Sequence, residues 1–395
     1  MNILFYRYGS ICEPDILKCF SESGHKCTTI EDEIGDKSLT GADSVRLVDR
    51  ELSNGSYDCV FTINFYPAIS DLCNIYHIRY ISWIVDSPVL ELFASSISNE
   101  WNRVFVFDRA QYEDIRTYNP DHIFHYPLAV DTGSKQSVIT SAASGSSAEK
   151  YRCDISFVGS LYTEKDPMAG LSGSPSYLKG FMDGLCEAQL RVYGYWFVQD
   201  LLTDRVIEDF KAEIPDYFQM KTDNHLTDRI VIGQYYMGNH ITAIERERLI
   251  AYIADRYPID VYTRSSTDRI KKANCRGGCE TITEMPIIFR ESRININPTS
   301  KAIRSGVPLR VFDIFACEGF MLSNYQTELC ELFVPGEDFA FYDSIEQVPE
   351  LIAYYLEHDS ERKEMAHNAY VKVKEQYSYM VRLNKLLLIA FESRT

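Results

Sequence analysis

The chain has 395 residues, of which 45% are hydrophobic and 25% are charged, so it can bury two ordinary hydrophobic cores. A formal net charge of −17 at pH 7 disfavours nucleic acid or an anionic lipid surface as the main partner. The eleven cysteines have no paired C-x-x-C spacing, which is typical of reduced thiols in the cytosol. Neither a long apolar run nor a signal peptide is present, so we expect a cytoplasmic protein without an integral membrane segment.

The first thirty residues predict an α/β domain. Asn2–Tyr8 has the apolar pattern of a buried strand, Gly9 and Ser10 follow it, and Glu13–Gly24 has the spacing of a helix. A second strand is predicted at Cys27–Ile30. The order strand, loop, helix, strand indicates a doubly wound sheet.

Three further strands are predicted in this domain, at Tyr57–Ile63, Tyr80–Val85 and Arg103–Phe107, because each is rich in β-branched and aromatic residues. Ligands of parallel sheets bind at the carboxyl ends of the strands. Asp86 directly follows the second of these strands, and we nominate its carboxylate as a general base that accepts a proton from an acceptor hydroxyl. The alternative is that Asp86 caps a short helix through residues 87–88.

The segment Thr132–Lys150 is polar and of low complexity, with six serines and two glycines. It shows no hydrophobic period, which is typical of a linker. We therefore predict an N-terminal domain at 1–131, a linker at 132–150, a second domain at 151–375 and a C-terminal helical segment at 376–395.

The second domain opens with a pattern that repeats the start of the chain. Arg152–Ser160 is an apolar strand that ends in Gly-Ser, as Asn2–Ser10 does. The backbone N–H groups of Gly159 and Ser160 would approach a phosphate there. An ordinary strand-to-loop turn is the alternative.

Helical periodicity marks Tyr177–Phe210 and His240–Tyr257, and both are interpreted as structural helices. A strand is predicted at Asp260–Thr263. Arg264 follows this strand and is interpreted either as a phosphate contact or as an ordinary surface arginine.

The most informative stretch lies between residues 293 and 325. An apolar strand ends at Asn297, Leu309–Cys317 has a helical pattern, and a further strand ends at Asn324 and Tyr325. The free N–H groups of a helix N-terminus, with a partial charge of about 0.5, make an anion site in such units. We therefore expect Asn297, Asn324 and Tyr325 to line a ligand site.

Three side chains in this stretch suit a nucleotide. Lys301 and Arg310 can neutralise a diphosphate, and Asp313, one helical turn after Arg310, can accept ribose hydroxyls. The alternative is a surface ion pair between Arg310 and Asp313. The chain has no Asp-x-Asp motif, and Cys275 and Cys279 lack further ligands nearby, so no metal is expected.

The run SGVPLRVFDIFACEGF, followed by NYQTELCELFVPGEDFAFYDSIEQVPELIAYYLEHDSERKEMA, resembles the C-terminal domain of CgeB-like (spore maturation protein) glycosyltransferases. YISWIVDSP and FVFDRAQYEDI resemble the domain that precedes it in many such proteins. The resemblance implies a GT-B fold, in which two Rossmann-like doubly wound domains face each other across a cleft. It also implies an N-terminal acceptor side, a C-terminal nucleotide-sugar side, and a final helix that crosses back to the N-terminal domain.

The resemblance also assigns individual residues. Asp313 matches the second acid of a Glu-x7-Glu pattern that is implied to hold the nucleotide ribose, and Arg310 matches the arginine of an R-x-F-D-or-E run. Three positions depart from the family. Ser305 replaces the first acid, Glu318 stands where glycine is usual, and Tyr377 replaces a histidine.

Together these observations predict a glycosyltransferase. It would move a sugar from a nucleotide diphosphate donor, expected to be UDP-linked, to an acceptor glycan, protein or small molecule. No cofactor is required, because basic side chains and helix N-termini can stabilise the leaving diphosphate.

Two alternative functions stay open. A nucleotide-sugar epimerase of the same fold would turn over a donor without an acceptor. A non-catalytic binding or coat-associated protein would bind no nucleotide.

Overall fold

The computed structural model describes residues 1–144, 148–168 and 176–392. It divides into two compact units: unit 1 comprises Met1–Val130, Gln219–Leu226 and Gln376–Thr395, and unit 2 comprises Asp131–Phe218 and Thr227–Glu375. Each unit is built on a six-stranded sheet. The predicted α/β class with two doubly wound sheets is therefore confirmed, whereas the acceptor and donor roles of the units stay predictions.

All strands of the unit 1 sheet are parallel. They are β1 (Asn2–Tyr6), β2 (Lys26–Ile30), β3 (Cys59–Ile63), β4 (Arg79–Ile84), β5 (Asn102–Val106) and β6 (Ile123–His125). Their order is β2-β1-β3-β4-β5-β6. Every residue of β3 and β5 is buried, as expected where helices cover both faces of a sheet. The helices between these strands are α1 (Glu13–Glu22), α2 (Asp32–Gly35), α3 (Gly41–Asn54), α4 (Pro67–Tyr76) and α5 (Arg109–Ile115).

The unit 2 sheet is also parallel throughout. Its strands are β7 (Cys153–Val158), β8 (Asp260–Tyr262), β9 (Asn274–Gly277), β10 (Ser292–Asn297), β11 (Met321–Asn324) and β12 (Ala340–Tyr342). The order β12-β11-β10-β7-β8-β9 is that of dinucleotide-binding folds, and it reverses between β7 and β10. Ligands of such sheets bind at this switch point, outside the carboxyl ends of the strands.

Helices cover both faces of the unit 2 sheet. They are α6 (Thr132–Ala143), α7 (Ser176–Leu190), α8 (Val198–Leu201), α9 (Asp204–Glu213), α10 (Asp228–Ile230), α11 (Met237–Ala254), α12 (Met285–Glu291), α13 (Leu309–Ala316), α14 (Thr327–Leu332), α15 (Val348–Glu357) and α16 (Asp359–Gln376). One buried apolar cluster joins α11 and α15 to the sheet. None of the described helices is both long and apolar enough to cross a membrane.

The segment predicted as a linker is largely a helix. Thr132–Ala143 forms α6 within unit 2, and the Asp131 carboxylate caps it by accepting a hydrogen bond from the Ser134 N–H at 3.0 Å. Ile139 is buried, so one face of the helix is packed. The linker prediction was wrong because a cap and a packed face stabilise a helix even where the composition has no clear period. Residues 145–147 of the predicted linker lie outside the described residues.

The last helix, α17 (Tyr379–Glu392), belongs to unit 1. The Val130 N–H donates to the Tyr377 carbonyl at 3.0 Å, and the Tyr126 hydroxyl donates to the Arg382 carbonyl at 2.7 Å. The Arg382 guanidinium lies 4.3 Å from the centre of the Tyr377 ring. Tyr377, at the position where the resemblance expects histidine, therefore packs against the arginine that the pattern retains.

The turn after α13 contains Glu318 at the position where glycine is usual. Glu318 has φ +53°, in the left-handed region that helix C-terminal glycines adopt at little cost. Its carboxylate accepts a hydrogen bond from Arg290 at 2.7 Å and lies 2.7 Å from His367 Nδ1. Gly319 cannot carry a side chain, since a Cβ there would lie 2.7 Å from the Phe289 carbonyl oxygen. The two polar contacts of Glu318 offset the strain of its backbone.

We predict that Glu318→Gln lowers the free energy of unfolding by about 1 kcal/mol near neutral pH, because charge-assisted hydrogen bonds are lost at a half-exposed site. Burial raises the pKa of Glu318, but hydrogen bonds with His367 and Arg290 lower it overall. A carboxyl whose pKa is lowered by folding stabilises the fold above its unfolded pKa of about 4.3, and this stabilisation is lost as pH falls through the folded value.

The difference between wild type and Glu318→Gln should therefore shrink below about pH 4, as measured by urea denaturation across pH. Glu337→Gln, at an exposed position, is the matched control and should change stability little at any pH. A Glu318→Gln effect that stays constant down to about pH 3 would contradict this account.

Candidate functional site

The loop after β10, residues 298–302, is held in one shape by side chains of neighbouring elements. Thr242 on α11 accepts at Oγ1 a hydrogen bond from the Lys301 N–H at 2.9 Å. Asn324, the last residue of β11, accepts from the Thr299 N–H at 2.8 Å and donates to the Thr299 carbonyl at 3.1 Å. All four residues are buried, so the loop beside the switch point is formed before any ligand binds.

Arg246 on α11 joins the loops that follow β7 and β10. Its Nη1 donates to the Ser160 carbonyl at 2.7 Å, and its Nε and Nη2 donate to the Pro298 carbonyl at 3.2 and 2.9 Å. The guanidinium also lies 4.6 Å from the centre of the Tyr162 ring. No carboxylate of the described residues comes within 4.0 Å of it. The charge of Arg246 is therefore met directly by carbonyl dipoles and an aromatic ring, with no described carboxylate in direct contact.

Arg310, the second residue of α13, lies beside the loop after β7. A Cβ on Gly159 would lie 3.1 Å from Arg310 Nη1, and Gly159 has φ +151°, so a larger residue there would be strained and would press on this arginine. Arg310 Nε is buried without a hydrogen-bond partner, and no described carboxylate lies within 4.0 Å of the guanidinium. Burial lowers the pKa of Arg310, the Asp313 carboxylate opposes this, and the like charge of Arg246 adds to it.

Two guanidinium groups thus share the switch point of unit 2 without a direct carboxylate partner. A desolvated cation without a counter-charge costs free energy. Guanidinium groups are suited to two-point hydrogen bonding with phosphate oxygens. The arrangement is that of a preformed site for an anion.

Asp313, on the same helix as Arg310, makes its ion pair with another residue. Its carboxylate lies 3.4 Å from Lys135 Nζ on α6, and its side chain is largely buried. The alternative of a surface ion pair between Arg310 and Asp313 is therefore wrong. Whether Asp313 and Arg310 share one ligand stays a prediction.

Lys301 was predicted to neutralise a diphosphate, but the structure pairs it within the fold. Its Nζ lies 3.4 Å from Glu245 Oε1 and 3.5 Å from the centre of the Tyr193 ring. Burial lowers the pKa of Lys301, and the Glu245 carboxylate opposes that shift. The ammonium already has a counter-charge within the fold, and its contact with a diphosphate stays a prediction.

The Gly-Ser turn after β7 differs in detail from the prediction. The Gly159 N–H donates to the Tyr262 carbonyl at 3.0 Å and so is not free to bind a phosphate. The Ser160 hydroxyl donates to Glu164 at 2.6 Å, while its backbone N–H stays a candidate. Gly159 serves the site by leaving room for Arg310 rather than by donating to a ligand.

The remaining predicted residues of unit 2 lie at the same edge of the sheet. Asn297, at the end of β10, donates to Thr299 Oγ1 and Ser323 Oγ at 3.2 and 3.1 Å, so it holds the loop together, as Asn324 does. Arg264, whose side chain is 78% exposed, pairs with Glu280 at 3.1 Å. Tyr325 is half-buried directly after β11. Their direct contact with a ligand stays a prediction.

Asp86 lies in unit 1, in an exposed position after β4. Its Oδ2 accepts a hydrogen bond from Asn64 Nδ2 at 2.7 Å, and the same nitrogen donates to the Tyr8 hydroxyl at 3.2 Å. The next helical turn starts at Leu90 and has Val89 as its N-cap. The N-cap alternative for Asp86 is therefore wrong, and an oriented, accessible carboxylate is what a general base requires.

The strand-to-helix turn of unit 1 is already occupied by a carboxylate of its own chain. Glu13 is fully buried and accepts hydrogen bonds from the Tyr8 N–H at 3.0 Å, the Gly9 N–H at 3.1 Å and Arg7 Nε at 3.1 Å. These N–H groups are the ones that would face a phosphate after β1. The equivalent turn of unit 1 is thus closed to an anion.

Three side chains that shape these turns and the candidate site were missed by the sequence analysis. For Arg246 the sequence does contain a signal. Arg246 lies four residues after Thr242 and three before Leu249, which places a charged residue on the buried face of a helix. Neither of the other two residues had a comparable signal. Lys135 lies in a segment without a hydrophobic period, and Glu13 has the position of an ordinary acidic residue in the first turn of a helix.

Comparisons with known proteins bear on the family and the fold. Residues 246–388, less than half of the chain, match a family model described as glycosyl transferase-like. None of the curated protein sequences matches the chain.

Several solved structures are similar over nearly the whole chain. The sucrose-phosphate synthase of Thermosynechococcus elongatus has a TM-score of 0.55 at 10% identity, and the match covers 100% of both chains. HepE of Anabaena, in complex with UDP and glucose, has a TM-score of 0.53 at 10% identity over 99% of this chain and 100% of that one. A glycosyltransferase of Rickettsia africae has a TM-score of 0.52 at 12% identity over 99% and 98%.

At these identities the similarity shows the fold alone. It is the GT-B fold of glycosyltransferases, as the sequence predicted. The narrower resemblance to CgeB-like proteins stays a prediction.

We predict that Arg310→Met makes the unliganded protein more stable, by about 1 kcal/mol or more, because a cation without a counter-charge is replaced by an apolar chain of similar length. Thermal unfolding measures the change as a higher Tm. Arg205→Met, on α9 with the arginine side chain 81% exposed, is the control and should leave the Tm nearly unchanged. A lower Tm for Arg310→Met would show that this arginine stabilises the fold, and would remove the argument that it is held ready for an anion.

Proposed function

We propose that the protein is a glycosyltransferase that moves a sugar, of the hexosyl type, from a UDP-linked donor to a hydroxyl of a glycan, protein or small molecule. The observation that carries this proposal is the pair Arg246 and Arg310, which lack carboxylate partners at the switch point of unit 2. A dianionic diphosphate is the ligand that such a pair in such a place fits best.

The chemistry assigned to the two arginines is stabilisation of the leaving group. As the bond between the sugar and the diphosphate breaks, negative charge grows on the diphosphate oxygens. Guanidinium groups that are already in place stabilise this charge without having to reorganise. Arg246 is fixed by its three bonds to loop carbonyls, and no cofactor is needed for this step.

Asp313 is proposed to accept hydrogen bonds from the nucleotide ribose. Its carboxylate lies on the helix that carries Arg310, and the ion pair with Lys135 fixes its direction. The two side chains come from one turn of α13, so a nucleotide could reach both with its ribose and its diphosphate.

Unit 2 is proposed as the donor unit because the turn after its first strand, β7, has different neighbours from the turn after β1 in unit 1. In unit 1 the Glu13 carboxylate fills the turn after β1. In unit 2 the corresponding place, after β7, faces the guanidinium of Arg310, which has no described carboxylate in direct contact. An anionic nucleotide would find the N–H groups of the first turn already taken by Glu13 and would be attracted by the second turn.

UDP is the proposed nucleotide because HepE of Anabaena, which has a similar fold, has been solved in complex with UDP and glucose. The acceptor hydroxyl is proposed to lose its proton to Asp86, whose direction is set by Asn64.

A thermal-shift screen with UDP, GDP, dTDP, CMP and ADP and their common sugar conjugates tests donor binding, because a ligand that binds only the folded protein raises its Tm. We expect a clear shift with UDP and UDP-sugars. Arg310→Met should abolish the shift although its unliganded Tm is not reduced, whereas Arg205→Met should keep it. If a cooperatively melting wild-type protein shows no shift with any nucleotide, a non-catalytic binding protein becomes the better account.

Asp86→Asn is expected to lower the transfer rate by about 100-fold or more, the usual effect of losing a general base, while the UDP-induced shift stays. The measurement is UDP release from UDP-sugars in the presence of an array of nitrophenyl glycosides as acceptors. Asp121→Asn, at another exposed position of unit 1, is the control. Normal turnover by Asp86→Asn would exclude Asp86 as the base, and donor conversion without any acceptor would favour an epimerase.

A further inference from the structure

A second cavity of unit 2 lies at the opposite edge of the sheet from Arg246 and Arg310. Its volume is about 460 Å³, within the range of small-molecule sites, which is about 300–1,000 Å³. Ser292 and Arg293, which begin β10, line it, whereas the loop that Arg246 contacts follows the other end of this strand. The remaining walls come from the end of α12, the turn after α13, the first half of α16 and Arg152, which precedes β7. The cavity is therefore separate from the candidate anion site.

The lining of this cavity carries an excess of positive charge. It contains three carboxylates, on Glu291, Glu318 and Asp359, and five basic side chains, on Arg152, Arg290, Arg293, Arg362 and Lys363. One further carboxylate, Asp154, lies outside the lining and 3.1 Å from Arg293 Nη1, and the cations still outnumber the carboxylates when it is counted. The chain as a whole has a formal net charge of −17, so a local positive excess runs against its composition. An anionic ligand is the kind that these walls would attract.

Asp359, in the first turn of α16, is a carboxylate that three of these cations share. Lys363 Nζ lies 2.6 Å from its Oδ2, Arg293 Nη2 lies 3.8 Å from its Oδ1, and Arg362 pairs with the same Oδ1. Hydrogen bonds with Lys363 and Arg362 lower the pKa of Asp359 to about 2, so this carboxylate is ionised at neutral pH. Asp359 and Asp154 together cannot neutralise the three cations around them, and positive charge remains for a ligand.

The charged ends of the outer side chains are accessible to a ligand. The side chains of Lys363, Arg152 and Arg293 are 71%, 66% and 36% exposed. Ammonium and guanidinium groups bind phosphate and carboxylate oxygens through charge-assisted hydrogen bonds, and a guanidinium can do so at two points. Because exposed ion pairs contribute little to stability, a bound anion can join or replace the present partners of these side chains at a small cost.

The wall behind these groups is fixed by contacts within unit 2. The Arg362 side chain is buried, and its Nη1 donates to the Arg293 carbonyl at 2.8 Å. Arg290 Nη1 donates to Glu318 at 2.7 Å, and Arg290 Nη2 donates to Gln136 Oε1 on α6 at 3.2 Å. These two inner guanidinium groups hold the walls in shape, and the exposed cations are left for a ligand.

We propose that this cavity binds a small anion that carries two or more phosphate or carboxylate groups, held mainly by Lys363, Arg152 and Arg293. More than one acidic group fits best, because the accessible cations come from different elements: α16, the residue before β7, and β10. The ligand would lie against the turn after α13, the helix that carries Arg310 and Asp313. Binding at this site requires no transferase activity.

Isothermal titration calorimetry on the full chain tests the site, with inorganic pyrophosphate, fructose 1,6-bisphosphate and citrate as probes in about 0.1 M NaCl, where distant surface charges are screened. We expect at least one probe to bind with a Kd of about 1 mM or lower. The first two probes test phosphate groups, and citrate tests carboxylates. The double variant Arg152→Ala/Lys363→Ala should weaken this binding about tenfold or more, because it removes two charge-assisted contacts. Lys179→Ala/Arg205→Ala, at exposed positions, is the matched control and should keep the affinity.

Pyrophosphate can also bind at the switch point, so each titration is repeated with Arg310→Met, and a cooperative melt is required of every variant. Binding that Arg310→Met retains belongs to the cavity, and loss of all probe binding in this variant overturns the proposal. So does the lack of binding heat with all three probes at two temperatures in wild type, or an unchanged affinity in Arg152→Ala/Lys363→Ala. The UDP-induced shift of that double variant, whose switch point is intact, reports on the proposed function alone.

Discussion

Two positive charges without a carboxylate partner, on Arg246 and Arg310, are the feature on which the organisation of unit 2 depends. Arg246 ties the loops after β7 and β10 together through their carbonyl oxygens. Gly159 suits this place because its φ of +151° strains other residues and a Cβ there would lie 3.1 Å from Arg310 Nη1. Buried polar side chains hold the loop after β10 in place around them. Much of the local structure thus holds two guanidinium groups in place without a direct carboxylate partner among the described residues, which is a cost to stability that a bound anion would relieve.

The two units have the same turn after their first strand, but the side chains around that turn differ in charge. Asn2–Ser10 and Arg152–Ser160 have the same pattern of an apolar strand ending in Gly-Ser, and each supplies the first strand of its sheet in chain order. In unit 1 the turn after the strand is neutralised by Glu13 and becomes part of the core. In unit 2 the same turn is left beside an unpaired arginine. The fold alone therefore does not determine which unit attracts an anion. A few side chains around the turn determine it.

The sheets could be predicted from the sequence because strands buried on both faces are continuous apolar runs. β9 was missed since its residues, Asn274–Gly277, are exposed throughout. The helical period at Tyr177–Phe210 was interpreted as one region, but the chain forms three helices there. Helix α6 was missed because its stability comes from a cap and from packing, which the composition of the segment does not reveal.

The candidate site was predictable in location but only partly in its contacts. Strand ends and a helix start in an α/β pattern place Arg310, Asp313 and the two asparagines at one edge of a sheet. The direction of each side chain depends on partners that are distant in sequence. Lys301 meets Glu245, and Asp313 meets Lys135, and neither pairing is visible in the local sequence. The contacts of Arg246 with the loops after β7 and β10 arise only because α11 packs against both loops.

The measurement that tests the central claim most directly is a crystal structure of the full chain with UDP bound. The account predicts the diphosphate at the switch point of unit 2, with its oxygens about 2.7–3.2 Å from the guanidinium of Arg310, and the ribose beside Asp313. UDP bound in unit 1, or bound in unit 2 without contact to Arg310, would contradict it.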